Sequence, residues 1–134
     1  TPLGGWYHAS KFALEGLSDC LRNELREFGI DVVLIQPGAV DTNWAETAGE
    51  NLIKTSGEGI YKKQAEAKAA KYEEMYGEEG MAAQPEVIAK AIIKAAEKKN
   101  PKARYAVPGH AKLILFFRWL LPDSIYDYFT NKFF

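Results

Sequence analysis

The first part of the chain carries the hydrophobic periodicity of a helix. Between Trp6 and Phe28, large apolar residues recur at intervals of three and four, which places them on one stripe of a helix. This leucine stripe consists of Leu14, Leu17, Leu21, Leu25 and Phe28. The opposite side carries charged residues such as Glu15 and Arg22. Gly29 follows, and because glycine tolerates a left-handed conformation, we expect the helix to end there.

Two short apolar runs predict strands. The run at 30–35 is rich in β-branched residues, as in strands of parallel sheets that are buried on both faces. The run at 104–107 predicts a second strand, and between the two runs the segment 85–99 has a helical pattern that begins with a proline. Strand, helix and strand together predict a parallel pair joined by a right-handed crossover.

The remaining segments are less regular. Within 42–84, only the charged, alanine-rich stretch 61–76 predicts a helix, and inserts of this length after a strand are often lids or binding loops. The tail 110–134 is rich in apolar and aromatic residues. Pro122 divides the tail into two predicted helices, and Asp123 is placed to cap the second one.

These elements predict the fold class. Two strands offer too little surface for a complete α/β domain. We therefore interpret the chain as α/β, the C-terminal part of a doubly wound parallel-sheet (Rossmann-like) domain with two strands and several helices.

Composition narrows the classes of function. The net charge of −1 gives no electrostatic reason to expect a nucleic-acid partner. Cys20 is the only cysteine, so no internal disulfide can form, and we expect a cytoplasmic protein with Cys20 packed as a small apolar residue. His8 and His110 are the only histidines and lie far apart, so we expect no metal site and assign both to structural or exposed positions.

Tyr7 and Lys11 are the first candidates for chemistry. Residues four apart share a face of a helix. A free tyrosine has a pKa of about 10, and a nearby ammonium lowers that pKa, so such a tyrosine can exchange a proton with a carbonyl or alcohol oxygen. The spacing alone is weak, because it also occurs at Tyr128 and Lys132, which we interpret as an ordinary helix-surface pair.

Two longer motifs add specificity. The segment 7–17 (YHASKFALEGL) resembles the active-site helix of the short-chain dehydrogenase/reductase family, with its Y-x-A-S-K core. The segment 37–42 (PGAVDT) is similar to the P-G-x-V-x-T segment that follows the sixth strand of that family. The alternative for 37–42 is an ordinary strand-terminating loop, but two motifs in the family's order are stronger than either one alone.

The resemblance implies an activity. It implies an NAD(P)-dependent oxidoreductase that interconverts a small-molecule carbonyl and an alcohol by hydride transfer, with NADP or NAD as cofactor and Tyr7 as general acid and base. It also implies that Lys11 holds the nicotinamide ribose, and that the backbone of Val40 and the side chain of Thr42 hold the nicotinamide end. Pro37 and Gly38 lie at the carboxyl end of the first predicted strand, and together with Tyr7 they complete the predicted cofactor-binding set.

The resemblance also divides the chain. It assigns an active-site helix and strand to 1–41, a substrate loop or lid to 42–84, and the crossover helix, last strand and apolar tail to 85–134. The family's catalytic serine and glycine-rich phosphate loop belong upstream of Tyr7, and the chain begins at Thr1. We therefore expect the N-terminal cofactor-binding half to be absent and the chain alone to be incomplete as an enzyme.

Several alternatives remain open. A dimer or tetramer is implied by the family, in which active-site helices commonly pair. A set of lid residues could line a substrate pocket or could simply pack the lid: Trp44, Tyr72, Met75 and Tyr76. Asp41 is more simply a solvated carboxylate than a base. The tail is too short to span a bilayer and is favoured to pack over the pocket or at a subunit interface, although it has the composition of a membrane-surface segment. The rival function is a non-catalytic interaction or membrane-surface module.

Overall fold

The computed structural model describes residues 2–76, 80 and 82–133, and side chains as far as residue 130. Its helices and strands follow this order: α1 Gly5–Glu24, β1 Leu34–Pro37, α2 Trp44–Ser56, α3 Lys62–Tyr76, α4 Pro85–Ala96, β2 Arg104–Val107, α5 Gly109–Leu120 and α6 Asp123–Phe133. Short 3₁₀ turns lie at Arg26–Phe28 and Gly59–Tyr61. The α/β class is confirmed.

The two strands form a parallel pair, as predicted. The register runs from Leu34 opposite Arg104 to Pro37 opposite Val107. The first strand begins later than the sequence pattern predicts, because its ladder starts only where Leu34 donates to the carbonyl of Ala103 at 2.9 Å. The prediction of a run buried on both faces is wrong: Ile30 is 51% exposed, and the strand residues 34–36 are half-buried.

The chain divides into two compact units. One unit comprises Thr1–Leu3, Ala39–Pro85 and Phe117–Phe134, within the limits of the described residues, and the other comprises Gly4–Gly38 and Glu86–Phe116. We call them the α2–α3 unit and the sheet unit. The threefold division made from the sequence remains a prediction.

In the sheet unit, α1 presents an unexpected face to the strands. Ser18 is buried, and Glu15, Asp19 and Arg22 are half-buried, while Leu14 and Leu17 are 50% and 56% exposed. An amphipathic helix normally turns its apolar stripe inward. Here polar side chains face the strands because β2 begins with an arginine that they bind, and the leucine stripe is largely exposed.

Cys20 and Gly29 lie in the second half of this helical segment and just after its end. Cys20 is exposed, so its assignment as a packed residue is wrong. After the 3₁₀ turn, Gly29 adopts φ 70°, and the prediction of a left-handed glycine at the end of this helical segment is confirmed.

The other face of the sheet unit is apolar. Ala91 and Ala95 of α4 are buried, whereas Ile92 is 50% exposed. A cavity of about 390 Å³ lies beside this helix. Its lining consists of Asp31, Val33, Ile35, Ile92, Ala95, Ala96, Lys98 and Pro101. The predicted helical stripe of α4 is therefore only partly buried.

The α2–α3 unit holds a helix that the sequence pattern missed. Residues 44–56 form α2, which packs along α3 through small side chains. Ala65 is fully buried, Ala45 is 7% exposed, and a Cβ on Gly49 would lie 3.9 Å from the Cβ of Ala69. Gly49 therefore lies where the two helices approach closely.

The tail forms two helices, as predicted, with Pro122 between them. Asp123 is the first residue of α6, and its carboxylate accepts a 2.6 Å hydrogen bond from Arg118. Large side chains of these helices are exposed, including Trp119 at 79% and Tyr128 at 63%. Within the part of the chain that the structure describes, no helix is both long and apolar enough to cross a bilayer.

Candidate functional site

Tyr7 and Lys11 lie one turn apart near the start of α1, as their spacing predicts. The Lys11 Nζ atom lies 5.3 Å from the centre of the Tyr7 ring, close enough for a cation–π contact. The Tyr7 side chain is 46% exposed, and its ring also meets the ring of His8 edge-on at 5.6 Å. The phenol therefore combines access from outside with a positive charge nearby.

Ser10 has a local structural contact. Its hydroxyl donates a 2.7 Å hydrogen bond to the backbone carbonyl of Tyr7, three residues earlier in the same helix. Such a bond ties the hydroxyl to its own helix backbone. This contact gives Ser10 a structural role within the helix.

The Pro37–Gly38 segment ends β1 beside the end of β2. The N–H of Gly38 donates to the carbonyl of Val107 at 2.8 Å. A Cβ on Gly38 would lie 2.8 Å from Nε2 of His110 and 3.4 Å from Cδ of Pro108. This glycine is therefore required by the close approach of a neighbouring side chain.

His110 has no part in the site that the sequence predicts. A signal was nevertheless present, since Pro37–Gly38 follows β1 and Pro108–Gly109 follows β2. Carboxyl ends of parallel strands meet at one edge of a sheet, where ligands bind in open α/β folds. His110, three residues after β2, therefore lies at the same edge of the sheet as Gly38.

Val40 and Thr42 belong to the α2–α3 unit. Val40 forms a parallel bridge with Ala83, in which the carbonyl of Ala39 accepts from Ala83 and the N–H of Asp41 donates to Ala83, both at 2.9 Å. This bridge uses the neighbours of Val40, so in extended backbone the N–H and C=O of Val40 itself point to the other side. The hydroxyl of Thr42 accepts from the N–H of Trp44 at 3.4 Å.

Asp41 lies between these two residues and is exposed. Its carboxylate accepts a 3.1 Å hydrogen bond from the Gln84 side chain. That contact links the start of the insert to the residue before α4. It is consistent with the solvated carboxylate that we expect.

Three aromatic side chains of the α2–α3 unit form a cluster. The rings of Trp44 and Tyr72 are 5.5 Å apart, those of Trp44 and Tyr76 are 5.8 Å apart, and those of Tyr72 and Tyr76 are 6.4 Å apart. Lys68 lies over the Tyr72 ring at 5.2 Å. Partial burial, with a further contribution from Lys71, lowers the pKa of Lys68. Three of the four lid residues singled out from the sequence thus meet.

An ion-pair network joins α1 to both strands. Arg104 at the start of β2 donates through Nε to Glu15 at 3.0 Å and through Nη2 to both carboxylate oxygens of Asp19, at 2.8 and 2.7 Å. Gln36 of β1 donates to the second oxygen of Glu15 at 2.9 Å, and Arg22 donates to Asp19 at 2.6 Å. Nothing in the sequence pattern predicted this network.

The network shifts the protonation of its members. Hydrogen bonds from Arg104 and then from Arg22 hold the pKa of Asp19 below its ordinary value. The reciprocal hydrogen bond to Asp19 raises the pKa of Arg104. Both groups are therefore charged across the physiological range.

The residues predicted to hold a nicotinamide cofactor have suitable groups. Tyr7 offers an accessible phenol and Lys11 an ammonium, while Val40 has backbone groups that its bridge does not use. Gly38 presents a backbone without a side chain. Among the residues that the structure describes, no three metal-binding side chains gather. For the second tyrosine–lysine pair, the side chain of Lys132 lies outside the described residues.

Comparison with known proteins identifies relatives along the chain. Residues 1–53 match the family model described as short chain dehydrogenase. The "Probable short-chain type dehydrogenase/reductase VdlC" of Helicobacter pylori is 37% identical over 123 residues, which cover 92% of this chain and 44% of that protein.

Some of the relatives have names that state a reaction. The 3-ketodihydrosphingosine reductase of Bacteroides thetaiotaomicron is 35% identical, over 99% of this chain and 48% of its own length. The NADPH-dependent 3-dehydrocapnine reductase of Ornithobacterium rhinotracheale is 33% identical, over 94% of this chain and 43% of its own length. The chain thus spans less than half the length of each of the three relatives. The segment that matches the family model contains residues 7–17 and 37–42, and the chain belongs to the short-chain dehydrogenase/reductase family.

Proposed function

We propose that the protein containing this chain is an NAD(P)-dependent oxidoreductase that interconverts a carbonyl and an alcohol, with Tyr7 as general acid and base. The observation that carries the proposal is the Lys11 ammonium 5.3 Å from the centre of the accessible Tyr7 ring. The residues lie on a helix inside the segment that matches the family model.

Tyr7 handles the proton in this proposal. A bound nicotinamide supplies or accepts the hydride. During reduction, the Tyr7 hydroxyl donates its proton to the carbonyl oxygen as negative charge develops there, and during oxidation the phenolate takes the proton back from the alcohol. The positive charge of Lys11 stabilises the negative charge that the phenol oxygen then carries.

Other residues of the chain would orient the cofactor. We assign Pro37, Gly38 and the backbone of Val40 to the nicotinamide end, together with the side chain of Thr42. Lys11 would also hold the nicotinamide ribose. NADP and NAD both remain candidates, and the name of the Ornithobacterium relative, which states NADPH dependence, favours NADP.

The aromatic cluster suggests the class of substrate. Trp44, Tyr72 and Tyr76 offer apolar rings in the insert that follows the Pro37–Gly38 segment. Large aromatic surfaces bind apolar groups because they remove much apolar area from water. We therefore propose a carbonyl or alcohol substrate with an apolar body. The name of the Bacteroides relative, a reductase of a keto compound, supplies one test compound.

Association between copies is a related proposal. Leu14, Leu17 and Phe28 of the leucine stripe are at least half exposed. Exposed apolar surface of this kind supports pairing of α1 with a second copy. The rival function, a non-catalytic interaction or membrane-surface module, is not favoured, because the names of the Bacteroides and Ornithobacterium relatives are those of enzymes.

The experiment uses the full-length product of the gene. Purified protein is incubated with NADPH or NADH and a panel of ketones that includes 3-ketodihydrosphingosine, and consumption of the reduced cofactor is followed by its absorbance. We expect ketone-dependent consumption, fastest with apolar ketones. Absence of turnover in both directions across the panel, with no cofactor binding in calorimetry, would contradict the proposal.

A further inference from the structure

Glu15 connects two parts of the candidate site. It lies one helical turn after Lys11, and its Oε1 atom accepts a 2.9 Å hydrogen bond from Gln36, the residue before Pro37. The turn of α1 that follows the tyrosine–lysine pair is thereby fixed to the strand that ends at Pro37 and Gly38. The hydrogen bond between Glu15 and Gln36 thus connects the helical turn after Lys11 to the residue before Pro37.

The second oxygen of Glu15 is also held. Arg104 donates to it through Nε at 3.0 Å, and the Nη2 atom of Arg104 donates to both carboxylate oxygens of Asp19 at 2.7 and 2.8 Å. One guanidinium at the start of β2 therefore orients two successive turns of α1. Because Glu15 accepts from both strands, rotation or sliding of α1 along the sheet would break at least one of these bonds.

The partial exposure of this network limits its effect on stability. The Glu15 and Arg104 side chains are 31% and 36% exposed. Ion pairs at such positions are screened by water and contribute little to the free energy of unfolding. Charged hydrogen bonds with a fixed fork geometry nevertheless specify orientation well. The network is therefore better suited to orienting the helix than to holding the fold together.

We infer that Glu15 is a positioning residue, which fixes the Tyr7–Lys11 turn of α1 relative to the Pro37–Gly38 segment through its bonds to Gln36 and Arg104. The inference rests on the proposed function for its effect on catalysis. Its effect on the helix can be measured without any activity. Small displacements of reacting groups can lower a rate by up to about 100-fold, so loss of this anchor should affect turnover strongly.

The test compares Glu15→Ala and Glu15→Gln in the full-length protein. The control is Glu66→Gln, which removes the carboxylate of an exposed 3.9 Å pair with Lys62 in the α2–α3 unit. We expect Glu15→Ala to lower kcat by about 10-fold or more, with a smaller change in the KM of the cofactor. Glu15→Gln should retain an intermediate kcat, because its amide oxygen still accepts one hydrogen bond. Glu66→Gln should match the wild type.

Two further readouts separate positioning from loss of folding and from failure of the proposed function. Circular dichroism should show the same folded fraction for all variants at the assay temperature. Amide hydrogen exchange should rise at residues 7–11 in Glu15→Ala but not in Glu66→Gln, whether or not a substrate is known. An unchanged kcat, a loss explained by a smaller folded fraction, or unchanged exchange at residues 7–11 would each overturn the inference. Absence of wild-type turnover would contradict the proposed function alone.

Discussion

The Nε2 atom of His110 lies 2.8 Å from the position that a Cβ on Gly38 would occupy. The two residues follow neighbouring parallel strands, so the sheet brings them together across 72 positions of sequence. The imidazole thus occupies the side of Gly38 on which any other residue would place its side chain. Packing against His110 therefore requires glycine at position 38, which also belongs to the predicted cofactor-binding motif.

This relationship predicts the outcome of Gly38→Ala. Forcing a methyl group against the imidazole should lower the free energy of unfolding by about 1–3 kcal/mol, as overpacking does. In a His110→Ala background the same substitution should cost about 0.5 kcal/mol or less. Urea unfolding of the two single variants and the double variant measures this coupling.

Gly109→Ala is the matched control for that cycle. A Cβ on Gly109, the residue beside His110, would meet no atom within 4 Å. This substitution should leave stability nearly unchanged in both backgrounds. Equal destabilisation by Gly38→Ala with and without His110 would show that the imidazole is not the cause.

The contact between α2 and α3 predicts that two substitutions change the free energy of unfolding in opposite directions. Gly49 lies inside α2, and the nearest atom to its added Cβ would be 3.9 Å away, an ordinary contact distance. Gly49→Ala should therefore raise the free energy of unfolding by about 0.5–1 kcal/mol, because alanine loses less backbone freedom on folding. Thermal denaturation should show a higher midpoint.

Ala65→Leu should have the opposite effect. Ala65 is fully buried, so three additional carbon atoms must displace their neighbours, at a cost of about 1–3 kcal/mol. A stable Ala65→Leu variant together with a destabilised Gly49→Ala variant would contradict the packing of α2 on α3.

The sequence predicted the elements better than their faces. The strand at 104–107, the start of α4 and the two tail helices were predictable because proline, glycine and apolar runs mark their ends. The orientation of α1 was not predictable, because periodicity distinguishes the two faces of a helix but does not show which face packs against the sheet. Arg104, far along the chain, determines that the side bearing Glu15 and Asp19 faces the strands.

Two other features needed information beyond local pattern. The helix α2 was missed because Gly49 reads as a break, although close packing against Ala69 accommodates it. The residues of the Tyr7–Lys11 pair were identified by spacing and motif, whereas the approach of His110 to Gly38 required the register of two strands distant in sequence. Local signals therefore located the Tyr7–Lys11 pair, whereas the contact between His110 and Gly38 depends on tertiary pairing of the strands.

The ion pairs of Asp19 predict a dependence of stability on pH. Hydrogen bonds from Arg104 and Arg22 lower its pKa in the folded state below the ordinary value of 3.8. Glu15 is the other carboxylate in the network. A lowered folded-state pKa means that the stabilisation is fully present above the unfolded pKa and is lost as pH falls through the folded pKa.

Arg104→Gln should remove most of this effect. Its urea midpoint should be lower than that of the wild type near neutral pH, and the difference should shrink between about pH 5 and pH 2. Lys62→Gln, at an exposed ion pair, is the control and should show a small difference throughout. If the difference in urea midpoint between the wild type and Arg104→Gln stayed constant down to about pH 2, Asp19 would be ruled out as its source.

The aromatic cluster predicts a change in selectivity. Trp44→Ala removes a ring that contacts Tyr72 and Tyr76 and is itself 39% exposed. If the cluster binds the apolar body of the substrate, kcat/KM should fall by about 10-fold for long apolar ketones. For small ketones such as acetone it should change little, and kinetics on a series of chain lengths measures the difference. A uniform loss across the series would assign the cluster to packing of the insert.

The central claim concerns the proton carried by Tyr7, and Tyr7→Phe tests it most directly in the full-length protein. This substitution removes only the hydroxyl, while Tyr128→Phe provides a control at an exposed tyrosine of α6. We expect Tyr7→Phe to lower kcat by about 100-fold or more, with cofactor affinity in calorimetry largely retained and Tyr128→Phe unchanged. Retention of wild-type kcat by Tyr7→Phe would contradict the account.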